Sequence, residues 1–178
     1  MYFLYLVMAV WGLILLFEPT IASTIAPEEG IIKFTRLYTN LTGFTKLQDC
    51  TIQSMERKIL PGGENPQYVR DLGGNFSTGL IITQMSGDNP WHQCPTSQFV
   101  VVLEGSWFVN TTDSGYVEMG PGSVLYQDDY KGLEVNGVKP MHYSGSLNDK
   151  PCNQIIISAA NREALIDDMS CDWVDQFI

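Results

Sequence analysis

The fold turns on one stretch, Pro90 to Gly122, which reads P-W-H-Q-C-P-T-S-Q-F-V-V-V-L-E-G-S-W-F-V-N-T-T-D-S-G-Y-V-E-M-G-P-G. It opens with the one cluster of candidate metal ligands in the sequence: His92, Cys94 and Gln98. Read as extended chain, these even positions fall on one face, because successive side chains of a strand point to opposite sides. Phe99, Val101 and Leu103 then cover the other face, with Val100 and Val102 packing beneath the ligand row. The β-branched and aromatic density from Gln98 to Val109 favours strand over helix. Gly105 interrupts it as a glycine does at a bend. Thr112-Asp113-Ser114-Gly115 is a turn, Tyr116–Met119 is the expected hairpin partner, and Gly120-Pro121-Gly122 turns the chain into Ser123–Asp129.

These residues resemble the cupin superfamily. Its first motif is G-x5-H-x-H-x(3,4)-E-x6-G and its second is G-x5-P-x-G-x2-H-x3-N. His92 stands on the first histidine, Cys94 on the second, Gln98 on the glutamate and Gly105 on the closing glycine. Gly87 is one residue out of place as the leading glycine. Gly122 opens the second motif, Asp128 occupies its proline position, and His142 supplies a histidine only across a longer loop. W-H-x-x-P-x-x-Q-[FY]-V is also similar to small one-domain cupins that keep a single histidine. The resemblance spans Leu80 to Ser158. It implies an all-β fold, a single cupin-type β-barrel or jelly roll, with a cavity at the barrel mouth. It also implies a ligand set of His92, Gln98 and His142, with Cys94 as an alternative donor, for one first-row divalent metal (Fe, Mn, Ni, Cu or Zn). Two imidazoles and an oxygen donor suit such ions. The neutral Gln98 compensates less charge than glutamate, and Asp128 or Asp129 is the candidate for the missing carboxylate.

Each of these residues has a structural role to set beside the functional one. His92 reads equally as a loop-edge histidine and Gln98 as a partner for backbone groups. His142 reads as a partly exposed strand residue, and Asp128-Asp129 as a solvated strand end. Trp91, Trp107, Phe108 and Tyr126 read as packing.

The rest of the chain fits this frame. At 178 residues, 44 % hydrophobic and 17 % charged, it suits one folded β-rich domain. A net charge of −10 without a basic run excludes a nucleic-acid role. Residues 1–22 read as a signal peptide, with an uncharged apolar run to Phe17 and small residues up to Ala22. A signal anchor in the secretory pathway is the alternative. Sequons at Asn40, Asn75 and Asn110 agree with a secreted glycoprotein. Cys50, Cys94, Cys152 and Cys171 form an even set with three disulfide connectivities, and a bridged Cys94 would not be a ligand. Residues 23–75 are expected to hold N-terminal strands and loops, 76–160 the core, and 161–178 a C-terminal helical tail capped at Asn161. Within it, Gly30–Tyr38, Cys50–Leu60, Phe76–Met85, Met141–Ser144 and Asn153–Ala159 read as extended, and Asn136-Gly137 as a turn.

Phosphate loops, serine elbows and H-E-x-x-H are absent from the sequence. Two functions follow. One is a secreted cupin-fold protein that binds a small molecule or a partner in the barrel mouth, with or without a metal. The other is a metal-dependent enzyme of dioxygenase, isomerase or lyase type built on His92, Gln98 and His142. A homodimer is a further expectation. No membrane association is expected once the leader is cleaved.

Overall fold

In the computed structural model the described residues are 28–53, 55–69 and 79–158. The expected leader, Asn75, Cys171 and the expected C-terminal helix lie outside them.

Twelve strands and one short 3-10 turn make up the described chain. Six strands form a mixed sheet: β1 (Ile32–Thr39), β2 (Thr45–Ile52), β5 (Gly79–Met85), β7 (Gln98–Glu104), β10 (Val124–Gln127) and β12 (Cys152–Ser158). Their order is β2-β1-β10-β7-β12-β5, and the β1–β10 pair is parallel. Four strands form an antiparallel sheet in the order β6-β11-β8-β9: β6 (Asp88–His92), β8 (Trp107–Thr111), β9 (Tyr116–Met119) and β11 (His142–Ser146). β3 (Glu56–Lys58) and β4 (Gln67–Val69) pair separately.

The described residues therefore form an all-β sandwich of the six- and four-stranded sheets, with the β3–β4 pair apart, and these strands do not close into a barrel. β2 and β5 end the larger sheet as unpaired edges, and β6 and β9 end the smaller. The extended segment expected over Cys50–Leu60 is also two strands, β2 and β3, in place of one.

Alternation along each strand places the core. Leu37, Leu125, Val100 and Val102 face inward from the large sheet and meet Trp107, Val109 and Met119 from the small one. Burying a side chain of this kind stabilises the fold by about 1.5–3 kcal/mol. The expectation that Gln98, Val100 and Val102 share a face holds, since all three are buried while Leu103 is exposed. The opposite face of the large sheet has a second cluster, Phe34, Cys50 and Tyr126.

Two turns read in the sequence have the geometry their residues require. Asn136 (φ 52°) and Gly137 (φ 79°) are both left-handed, and Val135 and Val138 exchange backbone hydrogen bonds across them. That is the type I′ pattern for which Asn-Gly is suited. Gly105 (φ 79°) sits where an added Cβ would lie 2.4 Å from the Pro151 carbonyl oxygen, so the β7–β8 corner admits no side chain.

Candidate functional site

The expected row of His92, Cys94 and Gln98 does not form on one strand. β6 ends at His92 in the small sheet, residues 93–97 leave the ladder, and Gln98 starts β7 in the large sheet. Pro95 follows Cys94 directly, and a proline lacks the amide a ladder would use. The Gln93 side chain fastens this break to the following loop, donating to the Tyr130 and Leu133 carbonyls at 3.1 and 2.9 Å. Cys94 makes a single parallel bridge to Tyr130.

The fold nevertheless brings both histidines together. His142 opens β11 opposite His92 on β6, and their ring centroids are 4.2 Å apart. His142 is fully buried, in place of the half-exposed strand residue its surroundings in the sequence suggested. Its Nδ1 donates to Asp129 Oδ2 at 2.6 Å. Its Nε2 accepts from Gln127 Nε2 at 3.1 Å, and Gln127 Oε1 accepts from Gln98 Nε2 at 2.8 Å. A buried chain of Asp129, His142, Gln127 and Gln98 thus runs from the β10 end into the space between the sheets. Satisfied buried networks of this kind fix ring orientation and tautomer.

Asp128 and Asp129 are buried, not solvated. The chain turns inward after β10, where the Asp128 amide donates to the Leu37 carbonyl at 3.1 Å. Asp128 Oδ1 accepts from Ser97 Oγ at 2.7 Å. Asp129 Oδ1 has no hydrogen-bond partner of ordinary geometry.

The cysteines correct a second expectation. Cys94 and Cys152 are free and buried, while Cys50 is disulfide-bonded; no bridge joins two described cysteines. Burial pushes the Cys94 thiol well above its ordinary range, and the charge of Asp129 and a hydrogen bond to it push the same way. A thiol held protonated is a poor nucleophile.

His92 is half-buried. Its Nδ1 donates to the Pro90 carbonyl at 2.8 Å, and its Nε2 accepts from Asn89 Nδ2 at 2.9 Å. Burial, followed by the neighbouring His142, lowers its pKa. The accepting Nε2 of His92 and that of His142 are therefore each taken by a side-chain amide.

A resident metal does not fit this arrangement. The donors that converge are two imidazoles and neutral amides; of the nearby carboxylates, Asp129 is turned to His142 Nδ1, and Asp88, which also lines the cavity, accepts from Tyr143 Oη at 2.6 Å. Among the described residues no three His, Cys, Asp or Glu side chains gather as a cation site. A divalent ion here would lack charge compensation.

What remains is a cavity of about 530 Å³ between the sheets. His92, Gln98, Gln127, His142 and Gln154 are among its polar lining, and Asp88 is the one carboxylate in it. Ile81, Val100, Trp107 and Ile156 supply its apolar wall, and neither lysine nor arginine lines it. Gln127, Ser144 and Gln154 were not read as site residues in the sequence. Gln127 had a signal, since it lies two positions beyond Leu125 on an inward-facing strand.

No family model matches this chain. No curated protein matches it either. Among solved structures, the crystal structure of protein NMB1881 from Neisseria meningitidis is 17 % identical with a TM-score of 0.35, over 46 % of this chain and 72 % of that one. So partial an overlap carries no functional argument.

Proposed function

We propose that this chain is a secreted, cupin-type sandwich protein that binds a small, uncharged, hydrogen-bonding molecule in the cavity between its sheets. The observation that carries this reading is the Asp129–His142–Gln127–Gln98 chain, whose amide and imidazole ends border the cavity. Small-molecule sites commonly combine apolar walls with a few placed polar groups, and this lining has that make-up. The absence of lysine and arginine from it disfavours an anionic ligand. A neutral ligand with both donors and acceptors can exchange with the amide partners at little desolvation cost.

The Asp129–His142 pair supports a second reading, an acid–base enzyme of isomerase or lyase type. His142 Nε2 would take a proton from the bound molecule once Gln127 swings aside, and Asp129 would stabilise the imidazolium so formed. A dioxygenase needs a redox centre for which this donor set is unsuited.

The test is ligand-observed NMR of the secreted protein against a library of neutral polyols and heterocycles. Binders that lose contact with His142→Ala and Gln127→Ala support the cavity reading. Time-dependent conversion of a binder, lost in Asp129→Asn, supports the enzyme. Binding unaffected by both cavity variants overturns both readings.

A further inference from the structure

The outward face of the small sheet carries one aromatic ring from each of its four strands. Trp91, Tyr143, Phe108 and Tyr116 lie in a row, with successive ring centroids 5.9, 6.0 and 5.9 Å apart. Trp91 and Tyr116 are about half exposed, at 48 % and 51 %. Tyr143 and Tyr116 are held by hydroxyl hydrogen bonds of 2.6 Å to Asp88 and Glu118. Phe108 lies across Gly145, where an added Cβ would come 2.7 Å from its ring. The backbone thus leaves room for a ring that stays only partly buried.

Asn110 sits inside this row. It stands directly opposite Tyr143 on one side and Tyr116 on the other, two residues beyond Phe108 on the same strand face. Its sequon is complete with Thr112. Asn40, by contrast, has its Oδ1 tied into its own turn by Thr42 and the Phe44 amide, with no such row around it.

We propose that Asn110 is a glycosylation site whose first sugar packs on the exposed Tyr116 and the partly buried Phe108 and Tyr143. In the transfer, Asn110 Nδ2 bonds to the anomeric carbon of an N-acetylhexosamine carried on a lipid diphosphate. The carbon–oxygen bond to the diphosphate breaks, the lipid diphosphate leaves with the electron pair, and the displaced amide proton passes to solvent. Once attached, the sugar presents its C–H face to the electron-rich faces of the rings. Exposed apolar patches mark contact sites, and here the occupant is anchored within the patch. The proposal rests on secretion, but not on the cavity.

The experiment is glycopeptide mass spectrometry and thermal unfolding on protein secreted from eukaryotic cells. Asn110 is expected to be occupied. Its sugar protons are expected to shift upfield by ring currents, and enzymatic removal of the glycan is expected to lower Tm. Tyr116→Ala is expected to weaken both effects and Tyr116→Phe to retain them; Asn40 glycan removal should leave Tm unchanged. Secreted protein modified at Asn40 and bare at Asn110 overturns the proposal while leaving secretion intact. An occupied Asn110 with no upfield shift and no Tm change overturns the packing. Dimerisation of Asn110→Gln through this face, in place of instability, assigns the rings to a second copy and overturns it too. Failure to reach the medium removes its premise.

Discussion

His92 and His142 face each other across the β6–β11 ladder with ring centroids 4.2 Å apart; burial first, and the neighbouring His142 second, make protonation of His92 unfavourable in the folded state. A histidine whose native pKa lies below its unfolded value of 6.5 binds fewer protons when folded. Its contribution to stability is therefore complete above pH 6.5 and is lost as pH falls towards the native value. The urea midpoint is expected to drop on acidification through this window, and His92→Gln to flatten the slope. An unchanged slope in that variant would show that other groups set it.

The buried pair of His142 and Asp129 predicts a non-additive mutant cycle. His142→Ala leaves a buried carboxyl group without its donor and is expected to cost about 3–5 kcal/mol. Adding Asp129→Asn should recover part of the loss, because the orphaned group is then an amide. Chemical denaturation of both single variants and the double measures the coupling. Simple additivity would mean the 2.6 Å contact carries no energy.

Thiol counting separates the cysteine assignments. Among the described cysteines, Cys94 and Cys152 should react in denaturant and Cys50, which is bridged, should not. In the native state both should react slowly at pH 8, as burial raises each thiol pKa. Rapid native labelling of Cys94 would contradict its placement against Asp129.

Elemental analysis of secreted protein is expected to show no first-row metal at stoichiometric level, with His92→Ala and His142→Ala unchanged from wild type. Tight metal lost in both variants would mean that the amides of Asn89 and Gln127 turn away to free the imidazoles.

Gly105→Ala is expected to destabilise by more than about 1–3 kcal/mol, since it adds a positive-φ penalty to a 2.4 Å clash with backbone. Thermal unfolding checks this, with Gly62→Ala, which meets no neighbouring atom, as the comparison for φ alone.

Much of the fold was legible because it depends on short-range rules. Alternation fixed which face Gln98, Val100 and Val102 share, and Asn136-Gly137 and Gly105 announced their own backbone geometry. The site was only half legible. His92 and His142 meet through strand pairing between segments 50 residues apart, which spacing in the sequence does not encode. The break at Pro95 separated Cys94 from the ligand row. Asp129 reads as a surface acid until Leu37 accepts the neighbouring amide and turns the chain inward. Gln127 was passed over because an amide carries no catalytic signature, although its position on β10 faces the cavity.

The parallel pairing of β1 with β10 joins Thr35 to Leu125, two residues ninety positions apart. Such a contact closes a long loop before it gives anything back, so the chain is expected to fold slowly. During synthesis β1 can pair with β2 at once, but its other edge stays open until the segment around Leu125 arrives. For that interval an apolar strand carrying Phe34, Leu37 and Tyr38 presents unpaired backbone, and a holding chaperone or dilution should raise the yield of refolding.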